Sequence, residues 1–141
     1  MRNRSTDDLT EELMASASID AYLRGNAEIF SDQDITEHLA QLYERQTLSK
    51  AALARRSAMS EVYLHQVFSG RRNPSRDRLL CLCIGMEVSL EETQQLLKQA
   101  AYAPLYPKQR REAIIAYGIS HGMTLQQVND KLFAEGEKTL Y

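Results

Sequence analysis

The side chains of this sequence that could do chemistry are mostly cations, and they crowd into one stretch. Residues 44–80 hold Arg45, Lys50, Arg55, Arg56, Arg71, Arg72, Arg76 and Arg78 against Glu44, Glu61 and Asp77, eight basic and three acidic, a net of +5. Residues 1–43 hold three basic and nine acidic side chains, a net of −6, and residues 81–141 hold six and seven, a net of −1. The formal charge of −2 for the whole chain hides this cationic block. Such a block is either a solvated face or a phosphate footprint, because only cations within about a Debye length, roughly 8–10 Å, attract a polyanion strongly. Arg55, Arg56, Arg76 and Arg78 fit the solvated reading as well, and Arg76 and Arg78 could pair with Asp77 or neighbouring acids.

The other reactive types offer little. His38, His65 and His121 are far apart, and none stands at a metal-ligand spacing from a cysteine or carboxylate. Cys81 and Cys83 lie two apart in an apolar, helical run, so their side chains point about 200° apart and cannot readily share a metal or form a bridge. Buried free thiols are expected. There is no GxSxG, no phosphate-cradling glycine loop and no GxGxxG. No cofactor and no metal are expected, and a binding role is favoured over an enzyme.

The elements that must position the cations read as helices throughout. With 141 residues, 43% hydrophobic and 26% charged, with 6 Gly and 3 Pro, the composition is that of a soluble helical protein and too apolar for a disordered one. No stretch approaches the ~20 apolar residues of a membrane span. The start MRNRSTDDLTEELM lacks the apolar centre of a signal peptide, so no membrane association and a cytoplasmic location are expected. Seven or eight helices are expected and no sheet. Leu9, Leu13 and Met14 mark an acidic first helix, and Ile19, Tyr22 and Leu23 a second. Ser31 with Asp34 resembles a capping box ahead of Ile35, Leu39, Leu42 and Tyr43. Ser49 caps a short helix to Arg56, Ser60 caps another to Phe68, and Gly70 stops it. After the Asn73-Pro74 turn a helix runs from Ser75 through Met86, and Ser89 with Glu92 forms a box for the next. Ile114, Ile115 and Ile119 mark a later helix ended by Gly122, and Thr124 with Gln127 opens the last, carrying Leu125, Val128, Leu132 and Phe133.

Two short capped helices joined only by residues 57–59 have the turn length of a helix-turn-helix. Residues 48–92, LSKAALARRSAMSEVYLHQVFSGRRNPSRDRLLCLCIGMEVSLEE, resemble the lambda-repressor-like (Cro/repressor, Xre-type) helix-turn-helix proteins. The resemblance is carried by Leu48-Ser49, Leu53-Ala54, the loop from Phe68 to Pro74 and the entry Val88-Ser89-Leu90-Glu91-Glu92. Ala58 departs from it where the turn often has glycine, and is expected to fit with negative φ; Glu87 departs where a small residue or glycine commonly ends the fourth helix. The implied fold is all-α. It comprises an acidic N-terminal helical extension (1–33), a five-helix helix-turn-helix domain (34–100), and a C-terminal helical pair (101–141) for packing or dimerisation.

Leu64, Val67 and Phe68 take one side of the helix from Ser60, which puts Val62, Gln66 and Ser69 opposite, flanked by His65. The resemblance implies that Gln66 reads bases in the major groove of double-stranded DNA, and glutamine can match adenine N6 and N7. Glu61, Val62, Tyr63 and His65 are the other candidate base readers. Ser49, Lys50, Ser69, Arg71 and Arg72 are candidate phosphate contacts on either side. A homodimer is expected, since such modules read two half-sites, with the tail's apolar residues and Tyr102, Tyr106, Tyr117 and Tyr141 as contact area. Those residues serve an intramolecular core equally well. The alternative function is a protein-interaction adaptor for a partner protein, favoured by the acidic N-terminal stretch.

Overall fold

A computed structural model describes residues 6–25 and 34–141 of the chain. All regular structure among the described residues is helical, in nine helices that match the nine segments marked in the sequence, so the expected total of seven or eight was too low. They are α1 (Thr6–Ala15), α2 (Ile19–Gly25), α3 (Ile35–Glu44), α4 (Lys50–Arg56), α5 (Glu61–Phe68), α6 (Arg76–Gly85), α7 (Leu90–Gln99), α8 (Arg110–Ser120) and α9 (Leu125–Ala134). The chain divides between Asp34 and Ile35 into two compact units. No helix among the described residues is long and apolar enough to cross a membrane.

In the first unit α1 packs on α2, with Ala21 N–H donating to Ser18 Oγ at 3.1 Å to start the second helix. α1 buries no side chain: Leu9 is half-buried, while Leu13 and Met14 are exposed. Two helices this short have too little apolar surface for a core.

In the second unit five helices, α4, α5, α6, α7 and α9, start on hydroxyl caps, whereas α8 starts after Gln109 with no side-chain cap. Ser49, Ser60, Ser75, Ser89 and Thr124 have extended backbone, and each side-chain oxygen accepts the N–H three residues on at 3.0–3.2 Å. Each such cap contributes about 1 kcal/mol. Thr124 and Gln127 complete a reciprocal box. The box expected of Ser89 and Glu92 is made on one side only, because the Glu92 carboxylate accepts from Arg45 at 3.2 Å instead. Ser31 lies outside the described residues.

The helix ends share a second device. At each of α4 to α9 the residue after the C-cap takes positive φ, which lets the following N–H reach a carbonyl five residues back and satisfy the last turn. Ala58 (φ 53°), Glu87 (φ 56°) and Ala101 (φ 62°) do this without being glycine. The expected negative φ at Ala58 is therefore overturned. Ala58 N–H bonds Arg55 O at 3.2 Å and Met59 N–H bonds Ala54 O at 3.0 Å, a closure that requires the left-handed conformation. The Cβ clash at such a residue costs roughly 1–2 kcal/mol.

α6 is the axis of the core. Every residue from Leu79 to Gly85 is buried, the burial all round that its unbroken apolar run calls for. Leu39 and Leu42 of α3, Leu53 and Ala54 of α4, Leu64 and Val67 of α5 and Leu96 and Leu97 of α7 join it in one cluster. The turn between α4 and α5 lies directly on α6, since a Cβ on Gly85 would fall 2.1 Å from Ser57 Oγ. Cys81 and Cys83 are free and buried, and burial pushes both thiols from 9.0 up to about 12.

The C-terminal helices complete this core. α9 packs on α6 and α8, and α8 packs on α7, with Ile115, Leu125, Val128 and Leu132 buried. Arg76 is neither solvated nor paired with Asp77. Its Nε donates to Ala103 O at 3.0 Å, its Nη2 to Pro104 O at 3.1 Å, and both Nη groups engage the buried Glu112 carboxylate, Nη1 at 3.1 Å. Asp77 is taken by Arg111 at 3.1 Å and by Lys138 at 3.8 Å. Leu140 is buried and its N–H donates to Asn129 Oδ1 at 2.7 Å, which pins the tail.

Candidate nucleic-acid interface

The outward face of α5 is built by the burial of its inner one. Leu64 and Val67 anchor the helix in the core, and at 100° per residue this turns Val62, His65, Gln66 and Ser69 away from it. Val62 is 68% exposed, although it is apolar. Those four residues and Arg71 line one shallow hollow of about 440 Å³. Glu61 and His65 are half in solvent and face each other across one turn at 3.6 Å.

Tyr63, one residue round the helix, is partly buried against the core rather than presented outward. Its ring carries two guanidinium groups, Arg72 at 5.5 Å and Arg78 at 4.7 Å from the centroid. Arg78 therefore belongs to this surface, and it does so through an aromatic face rather than through Asp77. The fold brings Arg72 close by closing α5. Gly70 takes φ +80°, so the chain doubles back and the N–H groups of Arg71 and Arg72 both donate to Gln66 O, at 3.0 and 3.2 Å. The Arg72 side chain then donates from Nε to Gln66 Oε1 at 3.1 Å. Nothing in the spacing of six residues announces this pair, because it depends on the reversal at Gly70.

Ser49 caps α4, its side chain accepting from Ala52 N–H at 3.1 Å. Lys50 begins the helix with its ammonium over two rings, 5.3 Å from Tyr43 and 5.0 Å from Phe68, which meet edge to face at 5.4 Å. Tyr43 is fixed by donating its hydroxyl to Leu48 O at 3.0 Å. The lysine is thus held at the junction of α3, α4 and α5 by aromatic residues that sequence reading assigned to packing alone. Ser69, Arg71 and Arg72 are exposed at the far end of α5. Ser49 and Lys50 thus stand before the outward face of α5 in the chain, and Ser69, Arg71 and Arg72 after it.

Comparison with protein families finds a match at residues 34–96 to the family model described as a helix-turn-helix domain. Residues 34–96 form a helix-turn-helix domain. Its two motif helices are α4 and α5, its turn is residues 57–60, and α3, α6 and α7 pack round them. No curated protein and no solved structure matches the chain. Among the described residues no group of three His, Cys, Asp or Glu side chains is placed to hold a metal ion.

Proposed function

We propose that this helix-turn-helix domain binds double-stranded DNA sequence-specifically, as a cytoplasmic transcriptional regulator of the Xre type and not as an enzyme. The observation that carries the reading is the exposed face of α5, with cationic side chains in the segments before and after it. In the bound state α5 lies in the major groove, with Gln66, Val62 and His65 at base edges and Glu61 and Tyr63 near the helix start. Ser49, Lys50, Ser69 and Arg71 face the phosphates, and Arg72, hydrogen-bonded to Gln66, lies between the phosphates and the base edges. Val62, 68% exposed on this face, offers an apolar contact that suits a thymine methyl.

The protein acts as a homodimer in this reading, with residues 101–141 supplying contact area as well as core. Ala113, Ile114, Tyr117, Met123 and Lys131 line an apolar groove of about 470 Å³ between α8 and α9, and Phe133 is 79% exposed. Light scattering at micromolar concentration checks the dimer, and a species that stays monomeric on DNA contradicts it. A second reading, an adaptor for a partner protein, draws on α1, which is acidic and leaves Leu13 and Met14 exposed. Selection from a random duplex pool, followed by gel shift at two salt concentrations, separates the two. DNA binding predicts enrichment of one motif and loss of affinity with salt, whereas an adaptor enriches nothing.

A further inference from the structure

We infer that Arg72 is a positioning residue for Gln66, and that the pair reads guanine rather than the adenine expected of a lone glutamine. The inference rests on the base-reading role proposed for α5.

Arginine Nε–H can only donate, so the group of Gln66 that faces it at 3.1 Å is the amide oxygen. That fixes which end of the amide points where, a choice that a free glutamine leaves open. The guanidinium is itself held, by the backbone closure that ties the Arg72 N–H to Gln66 O and by the Tyr63 ring beneath it. Gln66 Nε2 and the Nη groups of Arg72 make no hydrogen bond to the described residues. The edge left for a ligand is therefore rich in donors and carries a positive charge beside the one acceptor.

In the major groove guanine presents two acceptors, N7 and O6, while adenine presents the acceptor N7 and the donor N6–H₂. A donor-rich cationic edge matches the first and repels the N6 hydrogens of the second. Arg72 thus sets specificity through Gln66, unlike Arg71, which makes no such pair and adds only charge.

The test compares the full-length wild type, Gln66→Ala, Arg72→Lys and Arg71→Lys by selection from random duplexes, with salt titrations on the selected site. Expected is a guanine at the base pair that Gln66→Ala relaxes, preferred over adenine by about tenfold or more. Arg72→Lys keeps the charge and loses the Nε–H, so that preference collapses to about twofold or less while the salt slope stays unchanged. Arg71→Lys leaves the preference intact. Adenine selected by the wild type there, or a guanine preference that survives Arg72→Lys, overturns the inference while leaving base reading by Gln66 in place. If Gln66→Ala relaxes no position, the reading of α5 fails and the inference with it. A readout without DNA tests the pair directly: the Arg72 Nε–H signal in ¹H–¹⁵N NMR should exchange slowly and lose that protection in Gln66→Ala. Fast exchange in the wild type overturns the pairing.

Discussion

Replacing Glu112 by alanine isolates the contact that ties α8 to the start of α6. In the folded protein Arg76 gives two hydrogen bonds to backbone carbonyls and engages the Glu112 carboxylate through both Nη groups, with the two side chains only 22% and 7% exposed. Glu112→Ala keeps the carbonyl contacts and leaves a charge without its counter-ion. Breaking a buried pair from one side costs about 3–5 kcal/mol, and the partial access of water to Arg76 places this site at the low end, about 3 kcal/mol. For a chain of this size that is a fall of roughly 10 °C in melting temperature. The control is Arg110→Ala, which removes a pair of 3.3 Å whose side chains are 68% and 34% exposed. It should cost no more than about 0.5 kcal/mol. Urea denaturation followed by circular dichroism measures both, and equal m-values show that the denatured state has not changed. A cost under about 1 kcal/mol for Glu112→Ala, or equal costs for the two variants, refutes the idea that the C-terminal helices are clamped to the helix-turn-helix by this pair.

Ala58→Gly and Glu87→Gly should each stabilise the protein by about 0.5–1 kcal/mol in the same assay, since each removes a Cβ from a left-handed residue. The Glu87 pair with Arg56, 3.9 Å and mostly exposed, is too weak to offset this, so destabilisation by both glycines would contradict the strain argument. Cys81 and Cys83 are held protonated by burial, from 9.0 up to about 12, so the folded state binds more protons than the unfolded chain at high pH. Their contribution is fully present below pH 9 and is lost as pH rises from about 9 to 12. Neither thiol should react with a disulfide reagent at pH 8 until urea unfolds the chain, and rapid labelling of the native protein would show that the burial is wrong.

The helices that place the site were legible because their signals are local. Ser49, Ser60, Ser89 and Thr124 cap as read, a hydroxyl three residues ahead of the N–H it accepts being visible in the sequence. The face of Val62, His65, Gln66 and Ser69 followed from helical period and the burial of Leu64 and Val67. What escaped was non-local or conformational. Arg76 finds Glu112 across 36 residues, and Glu92 leaves its own cap for Arg45 across 47. No spacing rule reaches that far. Ala58 was misread because the cost of its Cβ was weighed without the two hydrogen bonds that its left-handed turn closes. Arg72 was assigned to phosphate alone since its approach to Gln66 exists only after Gly70 reverses the chain.

DNA reading by α5 is tested most directly by fluorescence anisotropy of the selected duplex and of a random one, titrated across salt with wild type, Gln66→Ala and Arg71→Ala. Arg71→Ala should weaken binding to both duplexes and flatten the log–log salt slope by about one unit, with sequence preference kept. Gln66→Ala should cost about 1–3 kcal/mol on the selected duplex alone and leave the slope unchanged. Absence of salt-dependent binding by the wild type, or equal weakening of both duplexes by Gln66→Ala, would contradict the proposal.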